Sequence, residues 1–106
     1  MKTARIEEMV KGLSVVNFTP MLYQTGAVEV AVKTCHAGEM ELAHCHKIET
    51  ELTVIAQGEV EIIGRRYCCG EIIVMEPVEV TDFRAVTNAI KTIVKIPGAK
   101  GEKHPA

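Results

Sequence analysis

The sequence has little that would mark a nucleic-acid, membrane or redox protein. Tryptophan is absent, and the aromatics are only Phe18, Tyr23, Tyr67 and Phe83. A platform of aromatic rings for stacking bases is therefore poorly supported. There is no excess of basic residues: 12 Lys plus Arg stand against 14 Asp plus Glu, for a formal net charge of -2. That balance argues against a nucleic-acid or anionic-membrane partner. No apolar run approaches the roughly 20 residues that span a bilayer. The segment Met1 to Lys11 carries Glu7 and Glu8 and lacks an apolar stretch, so it does not read as a secretory signal. The cytoplasm is the expected location. No C-x-x-C pair occurs among Cys35, Cys45, Cys68 and Cys69, which excludes zinc-ribbon and thioredoxin-like motifs. All four are expected as reduced thiols, most of them small packing residues. Ser14 is the only serine, and G-x-S-x-G, Walker A, G-x-G-x-x-G and H-E-x-x-H patterns are all missing.

What is present suits one soluble domain. The chain has 106 residues, 47% hydrophobic and 25% charged, enough for a single modest core. Val28, Val30 and Val32 alternate with Glu29, Ala31 and Lys33, the period of a half-buried strand. Further short runs follow at Met40–His46, Thr50–Gln57, Glu59–Ile63, Ile72–Met75, Val80–Val86 and Ala89–Ile96, punctuated by Gly38, Gly58, Gly64 and Gly70. About eight strands at this spacing predict an all-β sandwich or barrel and leave no room for βαβ units. Residues 1–12 form an N-terminal segment with one helical turn or a short strand. Residues 13–97 form the barrel, and residues 98–106 a flexible tail.

The chemistry concentrates between Gly38 and Gly58. His44 and His46 lie two apart, so on a strand both imidazoles project to one face. Glu51 opens the next strand, where an antiparallel neighbour can bring its carboxylate beside the rings. Two histidines and a carboxylate with open positions suit a divalent ion: Fe, Mn, Zn or Ni. Glu49 shares the parity of Glu51 and competes for the role, its other reading being a solvated loop charge. His36 reads as a rim or packing residue, and His104 falls in the tail. Cys45, between the histidines, should face away from a metal.

Gly38, five residues, His44, one residue, His46, four residues, Glu51, six residues and Gly58 together match the first sequence motif of the cupin superfamily. The chain thus resembles a small single-domain, RmlC-like cupin from Gly38 to about Val94. The resemblance implies a double-stranded β-helix, a jelly-roll barrel, with a metal on His44, His46 and Glu51. The family's second motif is degraded. Pro77 keeps its turn, but the third histidine is replaced by Asp82 or Thr81, depending on the register. Asp82 is the fourth candidate ligand. By parity, Met40, Leu42, Thr53, Ile55, Thr81 and Phe83 are expected to line an apolar pocket, with plain core as the other reading of Ile55 and Phe83. Arg84 reads as a surface charge or an anion contact.

The expected function is a divalent metal and a small-molecule ligand held in the barrel mouth. A catalytic version would be an isomerase, dioxygenase or decarboxylase. The other reading is a metal-free binder or sensor of a sugar-like metabolite, in which the histidines meet the ligand directly. Small cupins commonly pair through their N-terminal strands, so the resemblance also implies a homodimer, with neither nucleic acid nor membrane as partner.

Overall fold

The computed structural model describes residues 1–16, 22–98 and 103–105. The chain begins with two short 3-10 turns, Ile6–Glu8 and Val10–Gly12. The helical spacing of Ile6, Met9 and Val10 therefore yields only single turns before Gly12. Among the described residues eleven strands follow: β1 (Leu13–Val16), β2 (Tyr23–Gln24), β3 (Glu29–Cys35), β4 (Met40–His46), β5 (Thr50–Gln57), β6 (Glu59–Ile62), β7 (Arg65–Cys68), β8 (Ile72–Met75), β9 (Thr81–Ala85), β10 (Ala89–Ile96) and β11 (Lys103–Pro105). They form a six-stranded sheet in the order β2-β1-β3-β10-β5-β8 and a five-stranded sheet in the order β11-β4-β9-β6-β7.

All described pairings are antiparallel except β1 with β2. The all-β expectation holds, with four short strands, β1, β2, β7 and β11, beyond the periodic ones. β7 reads Arg65-Arg66-Tyr67-Cys68 and has no apolar alternation. It forms by pairing with β6, where Arg66 meets Glu59 at 3.1 Å. β11 lies in what was expected to be tail and pairs with β4 opposite His44–His46. The rest of that tail, residues 99–102 and 106, falls outside the described residues.

Alternation decides which side chains enter the barrel. β5 buries Glu51, Thr53 and Ile55, and β9 buries Thr81, Phe83 and Ala85. Along both strands the interior passes from polar to apolar. The apolar end is a cluster of Cys35, Ile55, Val60, Ile62, Phe83, Ala85 and Ala89. Burying a side chain such as Ile55 stabilises by roughly 2–3 kcal/mol. The polar end holds His44, His46, Glu49, Glu51, Thr53 and Thr81.

One irregularity sets the geometry of that polar end. β4 pairs with β9 as Glu41 opposite Phe83 and His44 opposite Thr81, so one extra residue is accommodated on β4 between them. Such a bulge shifts the side-chain alternation by one. Glu41 turns inward before the bulge and His44 and His46 after it. Met40 and Leu42, expected inside on the parity of the histidines, are 64% and 78% exposed.

Candidate metal centre

β4 positions the two histidines as the i, i+2 spacing requires. His44 is 6% and His46 4% exposed, and their rings meet edge to face with centroids 5.5 Å apart. The end of this strand is fixed by the loop after Pro77, where the Val78 amide donates to the His46 carbonyl at 2.6 Å. His44 Nδ1 lies 2.8 Å from the Leu42 carbonyl oxygen. Only a protonated nitrogen can donate there, so this contact assigns the proton to Nδ1 and leaves Nε2 as the basic nitrogen.

His46 sits between two carboxylates. Its Nδ1 is 3.2 Å from Glu49 Oε1, and its Nε2 is 3.3 Å from Glu51 Oε1. The Thr53 hydroxyl donates to Glu51 Oε2 at 3.2 Å, which orients the carboxylate from its other side. Glu49 is 1% exposed. It is not a solvated loop charge but the residue that faces the outer nitrogen of His46. The sequence signal was available: Glu49 lies three residues after His46 and on the parity of Glu51.

The structure brings together His44, His46, Glu51, Thr53 and Thr81. Thr81 is buried opposite His44, and its hydroxyl donates to the Asp82 carbonyl at 3.2 Å. Asp82 is a correction. It has the opposite parity to buried Thr81 and Phe83, and its Oδ1 accepts from the Ile63 amide at 2.6 Å. That contact holds the two-residue β6–β7 turn, in which Ile63 and Gly64 have φ of 45° and 72°. A β-branched residue at positive φ is strained, so this hydrogen bond gives Asp82 a structural task away from the histidines.

Ile55 and Phe83 belong to the apolar cluster rather than to the wall beside the histidines. Phe83, Met40, Cys35 and Glu41 instead line a groove of about 550 Å³, bordered by Ile6 and Met9 of the N-terminal segment. Arg84 pairs with Glu61 at 3.1 Å, the surface-charge reading. Burial pushes the Cys35 thiol above its ordinary pKa, and a hydrogen bond to Glu71 does the same for Cys68. Both shifts disfavour the thiolate, the form that binds metal or attacks. All four cysteines are free, but only Cys35 is buried, and Cys68 and Cys69 are exposed.

Two interior charges carried no sequence label. Lys91 is buried on β10, with its Nζ 2.7 Å from Glu41 Oε2 and 3.4 Å from the centre of the Phe83 ring. Lys95 lies opposite both Glu51 and Glu29 in the sheet register and 3.4 Å from Glu29 Oε2. In both cases the alternation along β10 was the available signal.

Two facing sheets of this kind recur among solved structures. A Klebsiella pneumoniae protein with a double-stranded β-helix domain matches over 73% of this chain and 69% of its own, with TM-score 0.68 and 24% identity. The fold is that of the cupins. An RmlC-like cupin from Desulfovibrio desulfuricans matches this cupin barrel over 92% of the chain and 97% of its own, with TM-score 0.65 and 23% identity. Bacillus subtilis oxalate decarboxylase, a protein with Mn(II) centres, matches over 76% of the chain at TM-score 0.64 and 15% identity, but the match covers only 24% of its own chain. No protein-family model matches the sequence, and no curated protein matches it significantly. Among the described residues, no helix is long and apolar enough to cross a membrane.

The residues fit a divalent ion by donor type and by ring orientation. Metal-bound histidines usually give their second ring N–H to a carbonyl or carboxylate. Here Leu42 and Glu49 stand at those positions, leaving the Nε2 atoms and the Glu51 carboxylate as donors. Among the described residues no three of His, Cys, Asp and Glu form a ready metal-holding group. The fit therefore rests on chemistry and orientation rather than on a preformed cage.

Proposed function

We propose that this cupin barrel holds one divalent metal ion on His44, His46 and Glu51 and takes a small-molecule ligand beside it. The observation that carries this reading is the orientation of the two imidazoles. Leu42 and Glu49 face the Nδ1 atoms, while His46 Nε2 and Glu51 Oε1 approach to 3.3 Å. The ion would act as a Lewis acid on a ligand oxygen. The protein's own part is to hold the rings by Leu42 and Glu49, to orient Glu51 through Thr53, and to keep water away by burial. Two nitrogens and one oxygen suit Mn, Fe, Ni or Zn, and the Mn(II) centres of the similar oxalate decarboxylase support the same class of ion.

A second reading has an observation in its favour. With no ready three-residue metal group among the described residues, His44 and His46 can serve as polar groups of a metal-free binding site. Plasma emission on the purified protein, reloaded with Mn, Fe, Ni or Zn, separates the two. The metal reading expects about one equivalent per chain, falling below about 0.1 in His46→Ala, with affinity weakened about 10- to 100-fold in Glu49→Gln. Less than about 0.1 equivalent in the reloaded wild type leaves only the metal-free site.

A further inference from the structure

Of the four cysteines two are exposed, and these two are neighbours in the chain. Cys68 ends β7, Cys69 begins the turn to β8, and both are free thiols. β7 and β8 are each the last strand of their sheet, so this turn joins two open edges at one corner of the barrel. The corner is held firmly. The Glu71 amide donates to the Cys68 carbonyl at 3.1 Å and closes the turn, in which Gly70 has φ of 93°. The Gly70 amide donates to the Ile55 carbonyl at 2.8 Å, and the Ile55 amide donates to the Glu71 carbonyl at 3.0 Å. Glu71 Oε1 accepts from the Cys68 amide at 3.3 Å and from its Sγ at 3.5 Å. Ile55 belongs to the apolar cluster, so the pair sits at the end of the barrel away from His44 and His46.

Covalent geometry limits what such a pair can do. Neighbouring Cα atoms lie about 3.8 Å apart across a trans peptide. A disulfide prefers a separation of about 4.4–6.8 Å, so a direct bond between the two sulfurs is strained. A single bridging atom lengthens the link and relieves that mismatch. In a straight strand the two side chains would point to opposite faces, but the chain leaves strand geometry at Cys69. The bridging atom must be soft, because thiols select soft ions. It must also suit thiols that keep their protons. The hydrogen bond to Glu71 raises the pKa of Cys68, whereas metal cations bind the thiolate. Structural zinc further needs four ligands, and among the described residues no three His, Cys, Asp or Glu form a group ready for a metal.

We infer that Cys68 and Cys69 form a dithiol site for trivalent arsenic, taken as arsenous acid or as a monosubstituted arsenical. Arsenous acid is uncharged at neutral pH, so neither Glu71 nor Glu59, which lies opposite Cys68 in the register, attracts or repels it as an ion. The step is a condensation. Two S–H and two As–O bonds break, and two As–S bonds and two molecules of water form. The thiol protons leave in that water, so a raised thiol pKa is no obstacle. Arsenic stays trivalent, and no oxidant or reductant is consumed. A monosubstituted arsenical loses one water, keeps its As–C bond and needs two thiols with no third donor. The second As–S bond closes within the chain, at an effective concentration of about millimolar or more, which holds the arsenic against single thiols. Glu71, already beside Cys68 Sγ, is placed to accept from the hydroxyl that bound arsenous acid retains. The inference is independent of the metal reading, since it uses none of that site's residues.

The test uses the full chain in its reduced form, with phenylarsine oxide as the probe and glutathione at about 1 mM as a competing single thiol. Intact-mass spectrometry is expected to show one arsenical per chain with one water lost, and a small dithiol such as dimercaptopropanol should strip it. Cys68→Ser and Cys69→Ser should each weaken retention at least about 100-fold, because one As–S bond remains in place of two. Both substitutions fall at exposed positions, and far-ultraviolet circular dichroism checks that the variants fold. Cys45→Ser should hold the probe as the wild type does. Arsenite in place of the probe should saturate the wild type at a single arsenic per chain and leave the Cys68→Ser/Cys69→Ser double variant empty. A wild type that retains no more arsenic than the double variant overturns the inference. So does unchanged affinity in either single variant, or a loss of retention in folded Cys45→Ser.

Discussion

Glu41→Ala is expected to lower the stability of the barrel by about 3 kcal/mol at neutral pH, a fall in Tm of roughly 15 °C for a domain of this size. The reason lies with its partner. Lys91 is 4% exposed and its Nζ lies 2.7 Å from Glu41 Oε2. Removing the carboxylate leaves an ammonium in the interior with the face of Phe83, at 3.4 Å, as a weaker substitute. The two ends of the pair are not equivalent. The Glu41 side chain is 26% accessible against 5% for Lys91, so water can reach a stranded carboxylate better than a stranded ammonium. Lys91→Met should accordingly cost less than Glu41→Ala. Glu41→Leu combined with Lys91→Met should recover most of the loss, because an apolar pair of similar volume commonly replaces a buried ion pair at little cost. Thermal and urea melts of the three variants decide the matter. A Glu41→Ala protein within about 0.5 kcal/mol of wild type would mean that Lys91 finds water or another partner.

Gly58→Ala is expected to be comparably severe, about 3 kcal/mol, whereas Gly38→Ala should cost about 1 kcal/mol. Both glycines have positive φ, 85° and 92°, so both substitutions carry the strain of an L-residue in that region. The difference is space. A Cβ on Gly58 would lie 2.2 Å from the Asn88 carbonyl oxygen and 2.8 Å from the Ala89 Cα, while one on Gly38 meets nothing within 4 Å. Gly58 is where the chain crosses from β5 in one sheet to β6 in the other, and the β9–β10 turn packs directly against it. That turn is also tied to its surroundings by the Asn88 side chain, which accepts from the Ala37 amide at 2.9 Å, and by Thr87, which accepts from the Glu59 amide at 3.0 Å. Backbone cannot swing aside as a side chain can, so the clash must open the end of the barrel. Equal losses from the two alanine variants would show that conformational strain alone sets the cost.

Much of this architecture was legible in the residues. The alternation of Val28–Lys33, Thr50–Gln57 and Ala89–Ile96 gave three central strands, and H-x-H placed two imidazoles on one face. The inward side of β4 before the histidines was not legible. A bulge adds one residue without a composition signal, and it turns Glu41 inward and Met40 and Leu42 outward. Strands β7 and β11 were hidden for another reason: neither alternates, and each exists by pairing with a neighbour formed elsewhere. Gly58 read as punctuation and as the end of the motif but not as a crowded position, because the backbone that crowds it lies 30 residues further along the chain. Buried charges were the hardest to see. Lys91 is separated from Glu41 by 50 residues, and a lone lysine in a strand looks solvated until its partner is brought across the barrel. Asp82 misled for the converse reason. Its chemistry suited a metal, but its parity sends it to the Ile63 amide.

The central claim is that His44, His46 and Glu51 converge on a cation. Anomalous scattering from crystals of the metal-loaded protein, recorded on both sides of the absorption edge of the loaded metal, tests it most directly. The account predicts one strong peak at about 2.0–2.2 Å from His44 Nε2, His46 Nε2 and a Glu51 oxygen, with Glu49 still facing His46 Nδ1. A fully loaded crystal with its only peak at the exposed Cys68–Cys69 turn, or with none inside the barrel, would contradict it.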